Sequence, residues 1–256
     1  MPRSTIWTRR AARSVTVATA LALGTAVCGI GAAAAAPAAG TGASTTTAPT
    51  GKAAVPDSFT KVSEGGGHTV DLTIDDGPDP VWTPRVLAVL ARDHVKATFC
   101  MTGGNAAKYP ELVKQVEAAG NRLCDHSVDH DMTMDKKSDA YQTQQIVGAQ
   151  ETIDGAAGGP AAQYYRAPGG AFTPFSRAVA AAHGLRPLGW DVDPKDWSRP
   201  GTANIVEAVE RQLPRGPIVL LHDGGGDRSQ TVAALEQLVP WLKAHGYGFS
   251  FPERSL

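Results

Sequence analysis

The stretch VDLTIDDGP, residues 70–78, carries the clearest structural signal in the chain. Its first five residues are typical of a β-strand, which stops at two adjacent carboxylates, Asp75 and Asp76, before a Gly-Pro pair turns the chain. Successive strand side chains point to opposite faces, so the two carboxylates take different tasks only if the turn re-aims one of them. Asp and Gly are also ordinary turn residues, so the motif by itself also fits a solvated turn.

Strand-like and helix-like stretches alternate after this strand, with Thr-Pro or Pro at helix starts and Gly at helix ends. The predicted strands cover 70–74, 96–101, 122–124, 164–166, 188–192, 218–221 and 248–251. About six helices are predicted between them, beginning near 84, 110, 138, 174, 202 and 229. Repeated βα units favour an α/β fold with a parallel sheet, either doubly wound or rolled into a barrel.

Polar residues with catalytic chemistry follow five of these strands at their C-terminal ends, namely Asp75, His126, Arg166, Asp191 and His222. βα barrels build their active sites at this end of the strands. A barrel-like closure lets residues from so many strands converge, so we expect a (β/α) barrel with about seven parallel strands.

A pair of histidines, His126 and His130, lies about fifty positions after the two carboxylates. If the segment is helical, their i, i+4 spacing brings both imidazoles onto one face. One carboxylate with two imidazoles suits a zinc-like ion and leaves an open position for water. The neighbouring Asp125, Asp129 and Asp131 leave a second interpretation open, in which the segment is an exposed polar helix face.

The composition is that of an ordinary globular protein of 256 residues, with 42% hydrophobic and 19% charged residues. The formal net charge is −1, and the sequence pI is near 6.6. The chain has no long Lys/Arg run, so it offers no basic field for nucleic acid, and nucleic acid is not an expected partner.

The N-terminal residues 1–39 have the pattern of a secretory signal peptide: four arginines precede an apolar run and then a small-residue region. The run is too short and too Gly-broken to favour a transmembrane helix, so we expect a secreted, extracellular protein without a stable membrane anchor. Arg9-Arg10 leaves a twin-arginine signal open. Lipidation at Cys28 is disfavoured because Val27 is bulky. Residues 40–67 are predicted to be a flexible Thr/Ala/Gly/Pro linker, and 68–256 the catalytic domain.

Cleavage of the signal removes Cys28 and leaves Cys100 and Cys124 in an oxidising compartment, where an even pair favours a disulfide. Both cysteines fall in predicted consecutive strands, and a cross-strand bridge closing a loop of this size stabilises by about 3 kcal/mol. The alternatives are two buried thiols or thiol ligation of the metal.

Five ordered motifs resemble those of the polysaccharide deacetylases, the NodB-homology domain of carbohydrate esterase family four. They are TIDDGP at 73–78, HSVDH at 126–130, RAPGG at 166–170, DPKDW at 193–197 and LLH at 220–222. The resemblance covers essentially all of 68–256 and implies a distorted barrel with fewer than eight strands, in agreement with the seven strands counted above.

By this resemblance Asp75 is the general base, and His222 is the general acid. Asp76, His126 and His130 are the ligands of one divalent metal, with zinc as the default and cobalt or nickel as alternatives.

The resemblance also assigns the supporting residues. Arg166 holds the base carboxylate, and Asp196 orients the acid histidine, with Asp193 as a substitute. Trp197 forms the wall and Leu220 the floor of the acetyl pocket.

Three positions depart from the common pattern of the family. Ile74 replaces a Phe and alters packing only. Gly169 stands where many members carry Tyr, and its backbone N–H keeps the implied oxyanion role. Asp125 stands where Asn is common, and its charge either strengthens metal binding or faces solvent.

The expected function is that of a secreted metal-dependent deacetylase hydrolysing N-acetyl groups of amino-sugar glycans, such as peptidoglycan or chitin fragments. The motifs do not separate amide from ester, so an O-acetyl esterase acting on acetylxylan or a similar polysaccharide is an alternative. A non-catalytic carbohydrate-binding pseudoenzyme and hydrolysis of a non-sugar amide are further alternatives.

Overall fold

The computed structural model describes residues 55–159 and 161–255. The predicted signal peptide, 1–39, and residues 40–54 of the predicted linker lie outside this part of the chain. In the part described, none of the helices combines the length and the apolar character that a membrane span requires.

In the part of the chain that the structure describes, seven parallel strands form one sheet, in the spatial order β5-β4-β3-β2-β1-β6, and β7 pairs with β1. The strands are β1 Thr69–Asp75, β2 Thr98–Met101, β3 Arg122–Asp125, β4 Ala162–Tyr165, β5 Arg186–Pro187, β6 Ile218–His222 and β7 Gly248–Phe249. The helices that connect them are α1 Trp82–Arg92, α2 Gly103–Lys108, α3 Pro110–Ala118, α4 Asp139–Ala157, α5 Pro174–Ala182, α6 Thr202–Gln212 and α7 Ser229–Ala244. This arrangement confirms the expected α/β fold, a distorted (β/α) barrel with about seven parallel strands.

The predicted strand at 188–192 is misplaced. The observed strand β5 is only two residues long, Arg186–Pro187, and pairs with β4. The chain then crosses over, and Val192 forms a parallel bridge to Val219 of β6. Because this segment changes partner from one edge of the sheet to the other, it cannot form a continuous ladder with either. Because the segment contacts β4 at its start and β6 at its end, it connects the two edges of the sheet as in a barrel.

Two helix predictions also need correction. Helix α2 is not among the predicted helices; it is one short helix after β2, and the Thr102 side chain caps it by accepting a hydrogen bond from Asn105 N. The first helix begins at Trp82, two residues before the predicted start near 84, so that Thr83 lies inside α1. Its hydroxyl accepts from Asp79 N and donates to the buried carboxylate of Asp223.

The alternating pattern of β1 is buried on both faces. Val70, Leu72 and Ile74 belong to the large apolar cluster that packs against the helices. The intervening Asp71, Thr73 and Asp75 are also buried, at 0–2% exposure, and lie on the other face of the sheet. The polar residues that alternate with apolar residues in β1 therefore line the interior of the barrel and do not face solvent.

A disulfide joins Cys100 and Cys124, which are direct register partners on β2 and β3. Both residues are fully buried in a small cluster with Tyr164, Leu188 and Ile218. The predicted cross-strand pairing is confirmed, and it ties the strand that precedes His126 to its neighbour.

The folded domain begins earlier than the predicted boundary at residue 68. Thr60 bridges to Leu188, and Ser63 bridges to Pro252. Thr60 and Ser63 are 1% and 7% exposed. The prediction of a flexible linker up to residue 67 is therefore wrong for 60–67, because backbone pairing compensates for the scarcity of large apolar residues there.

Candidate metal centre and active site

The two adjacent carboxylates at the end of β1 point to different partners. Asp75 is the last residue of β1, and its Oδ1 accepts a 2.6 Å hydrogen bond from Arg166. Asp76 has a left-handed backbone conformation, with φ 74°, which is uncommon for a residue with a side chain. This conformation directs the Asp76 carboxylate to His126 and His130. The turn after β1 therefore re-aims the second carboxylate.

His126 and His130 lie in a loop, so the helical interpretation of this segment is wrong. Ser127 and His130 both have positive φ, 64° and 59°. The Asp125 carboxylate accepts from Ser127 N at 2.7 Å, and Ser127 Oγ accepts from His130 N at 3.2 Å. Side chains of the loop itself thus hold its backbone in shape. The two imidazoles come together, with ring centroids 5.0 Å apart, through this turn and not through helical periodicity.

Asp76, His126 and His130 converge on one point. Each offers one ligand atom, and these atoms lie within 4.8 Å of one another. His126 Nδ1 lies 2.7 Å from the Arg166 carbonyl oxygen, which makes Nδ1 the donor and leaves Nε2 as the ligand atom. Among residues 55–159 and 161–255, the buried Asp76 Oδ1 has no hydrogen-bond partner. An orphaned carboxylate oxygen beside two imidazole nitrogens fits a divalent cation such as zinc, cobalt or nickel.

The electrostatics of this cluster favour the ionised carboxylate. Burial alone would raise the pKa of Asp76, but the imidazoles of His126 and His130 outweigh it and hold the pKa well below its usual range. The Asp76 carboxylate in turn raises the pKa of His130. The cluster therefore already stabilises negative charge on Asp76, which is the form that ligates a cation.

The Asp75 carboxylate is held by a completely buried guanidinium. Arg166 follows β4 and is 0% exposed. Its Nη1 donates to Asp75 and to Thr73 Oγ1, and its other nitrogens donate to the backbone oxygens of Leu188 and Gly189. These four acceptors fix the guanidinium, and the guanidinium fixes the orientation of the Asp75 carboxylate.

His222, the last residue of β6, is paired with Asp196. Its Nδ1 lies 2.7 Å from Asp196 Oδ1, and its backbone N–H donates to Asp196 Oδ2. Thr231 also donates to Asp196. Burial alone would lower the pKa of His222, but the hydrogen bond and the charge of Asp196 raise it to about 9. The alternative partner, Asp193, instead accepts from Lys195 N.

A cavity of about 410 Å³ joins the cluster of Asp76, His126 and His130 to Asp75 and to His222. Its lining includes Asp75, Asp76, His126, His130, Gly169, Trp197, Leu220 and His222. Leu220 is almost fully buried, while Trp197 is 51% exposed and is therefore a rim residue and not part of the core. The structure thus brings all the predicted catalytic, metal and pocket residues together except Arg166 and Asp196, which contact the site through Asp75 and His222.

Gly169 lies in the wall of this cavity with φ 58°. A Cβ at this position would lie 2.9 Å from Met132 Cε. The positive φ also disfavours any residue other than glycine here. Asp125 is fully buried, so the interpretation of a solvent-facing charge at this position is wrong. Burial raises the pKa of Asp125 well above its usual range.

Asp191 lies outside the site, contrary to the prediction that groups it with the strand-end residues. Its carboxylate accepts from Ile218 N at 3.2 Å. Ile218 is the first residue of β6, whereas His222 is the last. Asp191 therefore lies beside the start of β6, and it is not among the residues that line the cavity.

Sequence reasoning missed four residues that line the cavity, namely Met132, Trp190, Gly225 and Arg228. Trp190 falls in the misplaced strand, where a tryptophan is equally typical of the core. Arg228 is 4% exposed and donates to the backbone oxygen of Trp197. The signal for its loop is the glycine run 224–226, which begins two residues after His222, because consecutive glycines indicate a close backbone approach.

Comparison with known proteins agrees with this geometry. Residues 63–188 match the family model for polysaccharide deacetylases. A chitooligosaccharide deacetylase of Sinorhizobium fredii is 38% identical over 193 residues, which cover 71% of this chain and 89% of that protein. A peptidoglycan-N-acetylglucosamine deacetylase of Bacillus cereus is 39% identical over 182 residues, which cover 70% of this chain and 84% of that protein.

Solved structures with the same fold include a family 4 carbohydrate esterase from Streptomyces lividans in complex with acetate. It has a TM-score of 0.65 and 34% identity, and the match covers 71% of this chain and 91% of the esterase. A pseudoenzyme of the same family from Bacillus anthracis matches with a TM-score of 0.66 and 27% identity, over 72% of this chain and 63% of that one. The extent of these matches, together with the five motifs gathered around one cavity, shows that the chain belongs to the polysaccharide deacetylase family.

Proposed function

We propose that this protein is a metal-dependent deacetylase that hydrolyses the N-acetyl groups of amino-sugar glycans such as peptidoglycan or chitin fragments. The observation that carries the proposal is one cavity in which the Asp76, His126 and His130 cluster lies beside Asp75 and His222. Similarity to chitooligosaccharide and peptidoglycan-N-acetylglucosamine deacetylases supports an N-acetylated glycan as the substrate class.

The metal ligands are Asp76 Oδ1 and the Nε2 atoms of His126 and His130. When bound there, a divalent cation supplies Lewis-acid polarisation of the acetyl carbonyl and lowers the pKa of a water molecule. The donor set suits zinc, with cobalt and nickel as alternatives.

Asp75 is the general base. Its Oδ1 is occupied by Arg166, and its Oδ2 lies 3.6 Å from His126 Nε2, next to the metal cluster. A carboxylate held at that place accepts the proton of the attacking water without reorientation.

His222 is the general acid. Its pKa of about 9 keeps the imidazole protonated at neutral pH. Because Nδ1 faces Asp196, the proton on Nε2 is the one available to the cavity. An amide nitrogen leaves poorly unless it is protonated, so the transfer of this proton to the departing amine completes amide cleavage.

The remaining groups hold the acetyl group and the developing negative charge. The backbone N–H of Gly169 serves the oxyanion, as a donor in the cavity wall. Trp197 and Leu220 form the apolar surface that receives the acetyl methyl group.

Action outside the cell is a further part of the proposal. It rests on the signal-like sequence of residues 1–39. The disulfide between Cys100 and Cys124 supports an oxidising compartment, because such bonds persist there and are rare in the cytosol.

An O-acetyl esterase is the second candidate, favoured by the similarity to the Streptomyces lividans esterase. The test is acetate release by the purified zinc-loaded protein, with and without chelator, from N-acetylglucosamine oligomers and from acetylated xylan. Release from the oligomers alone, abolished by chelator, is the expected result. Release mainly from xylan would make the protein an esterase. No release from either, with metal still bound, would favour a pseudoenzyme.

A further inference from the structure

A second cavity, of about 320 Å³, adjoins the candidate active site. Its lining residues are Phe59, Lys61, Gly170, Phe172, Gly189 and Trp190. We call it the aromatic groove. Trp190 borders both this groove and the catalytic cavity, and Gly170 follows Gly169 of the catalytic cavity in the chain. The two cavities are therefore neighbours across one tryptophan and one pair of glycines.

The N-terminal segment supplies one side of the groove. Thr60 N donates to the Pro187 oxygen at 2.8 Å, and Gly189 N donates to the Thr60 oxygen at 3.0 Å. This pairing buries Thr60 as in a strand. Because strand side chains alternate, Phe59 and Lys61 on either side of it point away from the core and line the groove.

Phe59 keeps a large apolar surface in contact with water. Its side chain is 46% exposed although one edge packs against Phe172, with ring centroids 4.7 Å apart at 76°. The Arg177 guanidinium lies 4.9 Å from the centre of the Phe59 ring. These contacts fix the ring in place while leaving much of it open, which is the arrangement of a preformed binding surface.

Two glycines keep the groove shallow and open. A Cβ on Gly170 would lie 3.0 Å from Trp190 Cη2, and a Cβ on Gly189 would lie 2.9 Å from Lys61 Cε. Glycine at these two positions therefore leaves room for the tryptophan ring and for the lysine stem. The Lys61 ammonium is 4.0 Å from Asp191, and its side chain is 52% exposed. The groove thus combines aromatic carbon with a cationic donor.

We infer that the aromatic groove binds a further pyranose ring of the same glycan whose N-acetyl group occupies the catalytic cavity. This inference rests on the proposed function. The C–H faces of a pyranose pack against aromatic carbon, and its hydroxyls accept hydrogen bonds from an ammonium. Continuity through Trp190 places such a ring a short step from the reacting sugar.

The test compares a short and a long substrate. Phe59→Leu retains apolar contact with Phe172 but removes the aromatic ring. Val62→Ala is the matched control, because Val62 is 55% exposed on the same segment and lines a different cavity. We expect Phe59→Leu to lower kcat/KM for the N-acetylglucosamine pentasaccharide by about fivefold, the equivalent of one aromatic contact. The Val62→Ala protein should show no change with either substrate. The loss in Phe59→Leu should be smaller for the disaccharide, because its one further ring can lie on either side of the reacting sugar.

Calorimetric binding of the same two oligosaccharides to the chelator-treated protein separates this inference from the proposed function. If the wild type releases no acetate but binds the pentasaccharide more tightly than the Phe59→Leu protein does, the deacetylase proposal fails and the subsite stands. Equal losses on both oligosaccharides, or equal pentasaccharide affinity in the wild type and Phe59→Leu, would overturn the subsite.

Discussion

Arg166 Nη1 donates a 2.6 Å hydrogen bond to Asp75 Oδ1 in the interior of the barrel, where both side chains are 3% exposed or less. This single contact links the end of β1 to the end of β4, and so joins the two sides of the site. A charge pair in this position does two things: it orients the carboxylate, and it makes each partner costly to remove.

Replacement of Arg166 is expected to destabilise the fold strongly. Arg166→Met fills much of the volume but leaves the buried Asp75 carboxylate without its partner, at a cost of about 3–5 kcal/mol in unfolding free energy. Urea denaturation in the presence of chelator measures this. Arg211→Ala, which breaks the exposed Arg211–Glu207 pair, is the control and should cost less than about 0.5 kcal/mol. Equal effects of the two changes would contradict the role of Arg166 at the barrel centre.

Variants at Asp75 and His126 are expected to distinguish the loss of turnover from the loss of metal binding. Asp75→Asn retains the three ligand residues, so it is expected to keep its zinc while losing activity by about 10²–10⁴-fold, the usual contribution of a general base. His126→Ala removes a proposed metal ligand, so this variant should lose both its zinc and its activity. The measurements are the metal content of each variant after dialysis and its rate of acetate release. Near-full activity of Asp75→Asn would show that another group is the base.

Asp196 should control the alkaline side of the pH profile. The Asp196 carboxylate raises the pKa of His222, so Asp196→Asn lowers that pKa from about 9. Only the protonated imidazole acts as an acid, so activity falls as pH rises through the His222 pKa. In the variant this fall should begin at lower pH, whereas Asp193→Asn should leave its position unchanged. A uniform loss at every pH would indicate a purely structural role.

His222 should matter more for amides than for esters. An alkoxide leaves far more readily than an amide anion, so protonation of the leaving group is less demanding for an O-acetyl substrate. His222→Ala is expected to lower kcat on N-acetylglucosamine oligomers more than kcat on acetylated xylan. The ratio of the two losses is the measurement. A ratio near one would indicate that His222 acts at a step common to both substrates.

Asp71 should make stability depend on pH. Burial raises its pKa from 3.8 to about 7, against a hydrogen bond from Ser63 that lowers it. Between these values the folded state binds more protons than the unfolded state, so stability falls as pH rises toward 7 and is level above it.

Asp71→Asn removes this ionisation, and its amide oxygen can still accept from Ser63. The variant is therefore expected to gain stability over the wild type above about pH 7 and to lose that gain toward pH 3.8. Urea midpoints across this range measure the difference. Asp57→Asn, an exposed change in the N-terminal segment, is the control and should show no such trend. A gain that is constant with pH would exclude ionisation of Asp71 as the cause.

Local signals predicted the elements well where the chain carried its own start and stop residues. Helices α3 and α5 begin at Pro110 and Pro174, as predicted, because proline suits the first helical turn. The prediction failed at 188–192, where the segment divides its hydrogen bonds between β4 and β6. No local pattern encodes a change of partner.

The sequence by itself determined the family and the candidate metal ligands, because the chemistry of Asp, His and Arg at strand ends can be recognised from residue type and order alone. Tertiary structure decided which atoms meet. It placed His126 and His130 through a left-handed turn, chose Asp196 over Asp193 as the partner of His222, and set Phe59 beside Trp190. These outcomes depend on contacts between residues far apart in the chain, whose energies no local periodicity records.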